Sequence, residues 1–325
     1  MDYVRLGRSG LEISPIAVGA MSFGYPDRGG HAWTLGPDAS REIIRTALDL
    51  GINTFDTANV YSDGTAEEIL GEALRDLGVR EELVIATKVY GRVAPGANRE
   101  GLSRKAIMQE VDHSLRRLGV EAIDLLQIHR FDKVTPLDET LVALDDLVRA
   151  GKVHYIGASS MDAWRFVQAR ERQRELGLAT FISMQNQYSL IAREDERELI
   201  PYCAEVGVGL IPWSPLGRGK LARPWGIETN RTGKDDIQLG FYKQAVDSDH
   251  AVVDAVQAVA EELGRPMAHV AIAWLRRQPA FRAPLIGATK PSHLTDAVAA
   301  LDLVLTDEQA ARLEAPYAPR LPELY

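Results

Sequence analysis

The chain is punctuated by glycine. Amphipathic stretches end at LDLG51, RDLG78, RRLG119, VRAG151, RELG177 and AEVG207, and glycine takes the left-handed backbone that closes a helix more readily than any other residue. A short apolar, β-branched run follows each stop. These six runs, with similar ones at each end of the chain, predict strands at Ile16–Gly19, Thr54–Ala58, Leu83–Val89, Ile123–His129, Tyr155–Ser159, Phe181–Gln187, Gly209–Ser214 and Ala283–Ala288. Between them the 3.6-residue pattern predicts helices at Arg41–Leu50, Ala66–Leu77, Arg104–Leu118, Glu139–Ala150, Ala163–Leu176 and Glu194–Glu205. Near-continuously hydrophobic strands alternating with helices require a parallel sheet covered on its outer face. Eight such units close most naturally as an α/β (β/α)8 TIM barrel.

A barrel of this kind needs about 250 residues or more, and 325 accommodate one domain spanning 1–325 with insertions. The leading YVRLGRSGLEIS reads as a hairpin turning at RSG that plugs the barrel floor. Additional helices are predicted at Ala251–Gly264, His269–Arg277 and Thr306–Ala315. Tyr25–Pro37 and Leu216–Gly240 lack periodicity and are rich in Gly, Pro and Trp, so they read as long binding loops or lids. A net charge of −9 and the lack of a Lys/Arg cluster argue against a nucleic-acid or acidic-membrane partner. The N-terminus has no signal-type apolar core and no apolar run of about 18 residues occurs, so a cytoplasmic location away from membranes is expected. The single cysteine, Cys203, lies in a helical pattern and reads as packing.

Reacting groups in such barrels gather at the C-terminal ends of the strands. There the sequence places Asp56 and Tyr61 at and beyond strand two, Lys88 near the end of strand three, and His129 at the end of strand four. A lysine in an apolar strand is seldom buried unless paired, and Asp56 is the carboxylate that can pair it. An ammonium about 4 Å from a phenol interacts with the phenolate by roughly 4 kcal/mol at an effective dielectric of 20. That lowers a tyrosine pKa from its free value near 10. Tyr61 then acts as a general acid toward a carbonyl oxygen, and His129 can orient the same oxygen. None of the four can supply electrons, so a hydride-donating cofactor is required.

FDTANVY, ATKVYG and DLLQIHRFD, in this order, resemble the catalytic tetrad of the aldo-keto reductase superfamily. MSFGYPDRGGHAWTL, YIGASSM, IPWSPLGRGKL, LIGATKPSHL and LEAPYAPRLP look most like its bacterial YajO-type and fungal versiconal hemiacetal acetate reductase-like branch. The resemblance implies NADPH-dependent reduction of a small-molecule aldehyde or ketone by Asp56, Tyr61, Lys88 and His129. It also implies a cofactor groove. Met21 lies along it, Ser159, Ser160 and Gln185 meet the nicotinamide carboxamide, and Trp213 stacks on the ring. The loop running from Ser214 and Pro215 through Leu216 and Gly217 to Arg218, Gly219 and Lys220 wraps the pyrophosphate. Gly287, Ala288, Thr289 and Lys290, with His293 and Asp296, hold the adenosine end. Thr289-Lys290 also precedes a helix predicted from Ser292, and a helix N-terminus beside a lysine attracts phosphate. Ser160, Trp213, His293 and Ala297 stand where Asn, Tyr, Arg and Asn are frequent in the family, which leaves Lys290 as the main cation for a 2′-phosphate.

GRGKLA at 217–222 imitates a Rossmann fingerprint, but it opens into RPWGIETN instead of a helix. Three other functions compete: a Schiff-base aldolase through Lys88, a nicotinamide-binding redox sensor without turnover, and a sugar-phosphate-converting enzyme. Phe23, Tyr25, Trp33, Tyr90, Phe131 and Trp225 are expected at the mouth, an aromatic lining suited to a planar or bulky carbonyl compound. Arg28, Arg92 and Arg130 lie in the same loops and could take a phosphate or carboxylate. No metal-ligand spacing appears among the seven histidines, and the sequence leaves the oligomeric state open.

Overall fold

A computed structural model of the chain describes residues 1–28, 33–227, 242 and 244–321. Residues 29–32 of the first predicted loop and 228–240 of the second lie outside the described residues. Strands β1 (Val4–Arg5) and β2 (Glu12–Ile13) pair antiparallel. Eight parallel strands follow: β3 (Ala17–Gly19), β4 (Thr54–Asp56), β5 (Val84–Val89), β6 (Ile123–Ile128), β7 (Val153–Ser159), β8 (Ser183–Gln185), β9 (Gly209–Leu210) and β10 (Leu285–Ile286), in the order β10-β3-β4-β5-β6-β7-β8-β9. The two ends of that sheet meet. Arg282 N donates to Leu210 O (2.9 Å) and Leu285 N to Pro212 O (3.0 Å), so the sheet closes on itself as the (β/α)8 barrel that the alternation predicts.

Helices α1 (Pro37–Asp49), α2 (Thr65–Leu77), α3 (Arg104–Leu118), α4 (Leu137–Arg149), α5 (Ala163–Glu175) and α6 (Leu199–Val206) follow successive strands. Helices α7 (Val246–Leu263) and α8 (Met267–Leu275) are inserted before β10, and α9 (Ser292–Ala299) and α10 (Asp307–Glu314) follow it. Five of the six glycine stops take the left-handed conformation; Gly78 does not, with φ −107°. A Cβ there would stand 2.7 Å from Leu83 Cδ1, so close approach explains that glycine. The helix predicted from Glu194 begins instead at Leu199, after a short turn at Glu194–Glu196. Pro201 has no N–H and its ring would meet the carbonyl four residues back, so it is tolerated only in a helix's first turn.

Strand alternation separates two cores. Outward residues such as Ile85, Leu126, Ile128 and Ile156 pack under the helices, while Leu6 and Ile13 of the hairpin join Val84, Leu125 and Leu285 inside the barrel. Arg8 N donates to Gly207 O (2.8 Å) just before β9, which fixes the hairpin across the floor. Cys203 is buried in the outer core, and burial pushes its thiol up to about 12. Among the described residues, no helix is long and apolar enough to cross a membrane and no His/Cys/Asp/Glu group could hold a metal ion.

Candidate active site

The inward parity that places Val84 and Ala86 in the barrel also places Lys88 there, one layer higher. Leu125, Gln127 and His129 form the matching row on the neighbouring strand, with Lys88 opposite Gln127 in register. Asp56 ends β4. The Lys88 ammonium has no exposed surface, ion-pairs with Asp56 Oδ1, donates to Thr57 O (2.8 Å), and lies 5.2 Å from the centroid of the Tyr61 ring. The second carboxylate oxygen, Asp56 Oδ2, accepts from Gln127 Nε2 (3.0 Å) and Gln185 Nε2 (2.9 Å). A buried carboxylate with three donors is held in one orientation.

Burial works against the Lys88 cation, but Asp56 and then Tyr61 outweigh it, and the amine's pKa is raised. Lys88 is therefore an ammonium at any working pH. His129 moves the other way: burial first, then Lys88 and Arg130, hold it well below the ordinary histidine value. It is a neutral imidazole, and its ring meets Tyr61 edge to face at 5.8 Å between centroids.

Tyr61, His129 and Asp56 open onto a cleft of about 1840 Å³. Small-molecule sites are commonly 300–1,000 Å³, so there is room for a dinucleotide and a second ligand. The dinucleotide implied by resemblance can be tested against the walls. Next to Tyr61, Ser159 Oγ donates to Gln185 O (2.7 Å), and Trp213 Nε1 donates to Ser160 Oγ (3.2 Å), which fixes an indole face and two hydroxyls along one wall. Ser160 and Ser214 take φ of 49° and 53°, a conformation costly for non-glycine residues and concentrated at functional sites. Farther along, Arg218, Lys220 and Arg223 line the loop after β9. Thr289, Lys290 and His293 line the far end at the start of α9. Gly287 is exposed there with open space where a Cβ would stand, leaving bare backbone on the wall. Burial and Lys290 lower the His293 imidazole, so Lys290 is the cation of that pair. An aromatic face, carboxamide-matching hydroxyls, and a cationic loop ahead of a helix N-terminus fit a nicotinamide dinucleotide.

Met21, Pro215, Leu216, Gly219 and Asp296 also line the cleft, whereas Gly217 and Ala288 are buried behind it. The expected aromatic mouth needs correction. Trp33 and Trp225 are on the wall, but Phe23, Tyr25, Tyr90 and Phe131 are not. Leu35 pairs with Ser22 and Gly24 (2.7 and 2.9 Å), which turns the intervening Phe23 into the core. Phe131 lies beneath the Arg165 guanidinium (4.7 Å), Tyr90 packs on the outer core, and Tyr25 is exposed. Of the three loop arginines, Arg130 lines the cleft; Arg92 pairs with Glu100 and Arg28 is exposed. Gln127 was not legible as a site residue, although its place two residues before His129 in an apolar strand gives it the same inward parity.

Comparison with known proteins agrees with this geometry. A profile of the Aldo/keto reductase family matches residues 15–318. Versiconal hemiacetal acetate reductase of Aspergillus parasiticus is 43% identical, over 98% of this chain and 98% of its own. An aldo-keto reductase of Alternaria alternata is 40% identical over 99% and 93%. A Saccharomyces cerevisiae protein provisionally named an aryl-alcohol dehydrogenase is 39% identical over 98% and 97%. Proteins of this kind generally use a nicotinamide cofactor. By both the profile and these full-length matches, the chain belongs to the aldo/keto reductase family and is an oxidoreductase acting on carbonyl compounds.

Proposed function

We propose that this protein reduces an aldehyde or ketone to an alcohol with NADPH, and that Tyr61 is the proton donor. The observation that carries this reading is the buried Lys88 ammonium, ion-paired with Asp56 and set against Tyr61 at the floor of the cleft. A nicotinamide held in the cleft would supply the hydride for the new C–H bond. As the carbonyl π electrons move onto oxygen, that oxygen takes the Tyr61 phenolic proton. Lys88 offsets the charge left on the phenol oxygen, and Asp56, held by Gln127 and Gln185, keeps the ammonium in place. Neutral His129 donates one N–H to the substrate oxygen and orients it.

An aldolase role for Lys88 is disfavoured on the same grounds, because Schiff-base formation needs a neutral, reachable amine and Lys88 is charged and enclosed. The walls of the cleft carry Trp33 and Trp225, which favours a planar aromatic or bulky carbonyl substrate. The names of the Aspergillus and Saccharomyces relatives point the same way. NADPH is preferred over NADH on this reading because Lys290, which lines the cleft just before the start of α9, would offer a cation to a 2′-phosphate.

The test is cofactor consumption against aromatic aldehydes, quinones, ketones and sugar phosphates, with NADPH and NADH in parallel. Aromatic carbonyls with NADPH are expected to turn over fastest. In Tyr61→Phe, turnover is expected to fall at least about 100-fold, within the range a positioned general acid contributes, while NADPH affinity is retained. Near-normal turnover in that variant removes the proton-donor assignment.

A further inference from the structure

The segment between Asp56 and Tyr61 and the turn after it are held from outside the barrel. Ser62, Asp63 and Gly64 take φ of 49°, 53° and 89°, three successive left-handed residues of which two carry side chains. Such a backbone persists only where its surroundings over-determine it. Beneath it lies a buried polar network that plays no part in the proton transfer. Glu67, in the first turn of α2, is fully enclosed; Thr87 Oγ1 donates to its Oε1 (2.5 Å) and Arg117 Nε to its Oε2 (2.6 Å).

Each partner of Glu67 belongs to a different piece of the site. Thr87 is the outward-facing neighbour of Lys88 on β5. Arg117 comes from α3 and runs directly under the turn: a Cβ on Gly64 would stand 2.8 Å from its Cδ. Arg117 Nη2 also donates to Ser114 Oγ (3.3 Å) and lies 3.9 Å from Glu110 Oε2. Glu110 Oε2 accepts from Asn59 Nδ2 (3.2 Å), and Asn59 N donates to Lys88 O (3.1 Å). The strand that carries Lys88 and the turn that follows Tyr61 are therefore clamped to one carboxylate and one guanidinium.

We infer that Glu67 and Arg117 are positioning residues that set the distance between the Tyr61 hydroxyl and the Lys88 ammonium. The inference rests on the proton-donor reading of Tyr61. Arg117→Met removes the guanidinium, and an error of about 1 Å in a reacting group can cost about 100-fold in rate. The expected result is a kcat lowered roughly 10- to 100-fold, with NADPH affinity, measured by protein-fluorescence titration, unchanged. Arg117→Lys keeps the stem under Gly64 and a cation for Glu67, and is expected to restore most of the lost kcat.

A double-variant cycle separates this role from general stability. In a Tyr61→Phe background, Arg117→Met is expected to lower the residual rate no further. Full kcat in Arg117→Met, or an equal additional loss in the Tyr61→Phe background, overturns the inference. If Arg117→Met does not fold, Thr87→Val cuts the strand-side contact alone; a lowered kcat at unchanged nucleotide affinity supports the inference and an unchanged kcat overturns it. Turnover retained in Tyr61→Phe defeats the proton-donor reading itself and the inference with it, whereas turnover lost there but kept in Arg117→Met defeats the inference alone.

Discussion

Lys88 and Asp56 form a buried pair in which each charge is tolerable only because of the other. Removing one partner of such a pair typically costs about 3–5 kcal/mol, whereas replacing both is often neutral. Lys88→Met is accordingly expected to be strongly destabilised in denaturant unfolding, and Asp56→Asn/Lys88→Met to recover most of that stability while remaining inactive. Recovery of stability without turnover separates the pair's chemical role from its structural one. The meeting of Asp56, Tyr61, Lys88 and His129 at one end of the barrel was legible in the sequence because strand ends and parity are local properties. Gln127 was not, because a glutamine has no charge demanding a partner and its purpose depends on which carboxylate the neighbouring strand presents. Phe23 misled for a related reason: an aromatic ring beside a strand end suits a mouth and a core equally, and only the long-range pairing with Leu35 decides.

At the scale of elements, the loops after β5 and β6 are stapled together by Asp132. Its Oδ2 accepts from Leu102 N (2.7 Å) and Thr135 Oγ1 (2.7 Å), and its Oδ1 from Val134 N (2.9 Å) and Thr135 N (3.2 Å). Partial burial opposes the charge, but these four bonds outweigh it and lower the carboxyl's pKa. A depressed folded pKa means a contribution that is present above the unfolded aspartate range and lost as pH falls through the folded value. Asp132→Ala is expected to cost about 2 kcal/mol at neutral pH, and the difference from the parent should vanish in acid; a difference that persists there contradicts the staple. Helix positions were legible from periodicity, and eight strands were counted correctly. Their lengths were not, since β9 and β10 keep only two ladder residues each where the apolar runs extend to six. Apolar character reports burial, and burial continues past the point where hydrogen-bond pairing stops.

At the scale of the molecule, the end of the chain straps helix α7 to the barrel. Tyr317 donates its hydroxyl to Glu194, Arg320 N donates to Glu194 Oε1 (3.0 Å), and Arg320 pairs with fully buried Asp249. Ala318 N reaches Ser248 Oγ (2.9 Å) at the start of α7. Deleting residues 316–325 removes the Arg320 guanidinium from the buried Asp249 carboxylate together with the Tyr317 and Ala318 contacts, so a lower thermal midpoint is expected. An unchanged thermal midpoint in the truncated protein would count against the strap. The strap was invisible in the sequence because its contacts join residues some 70 to 126 apart.

The hairpin across the barrel floor has a practical corollary. Met1 is 42% exposed and lies beside Gly51, below the start of β4, on the pole facing away from the cleft. A tag, surface anchor or fused protein joined ahead of Met1 stands clear of the cleft mouth.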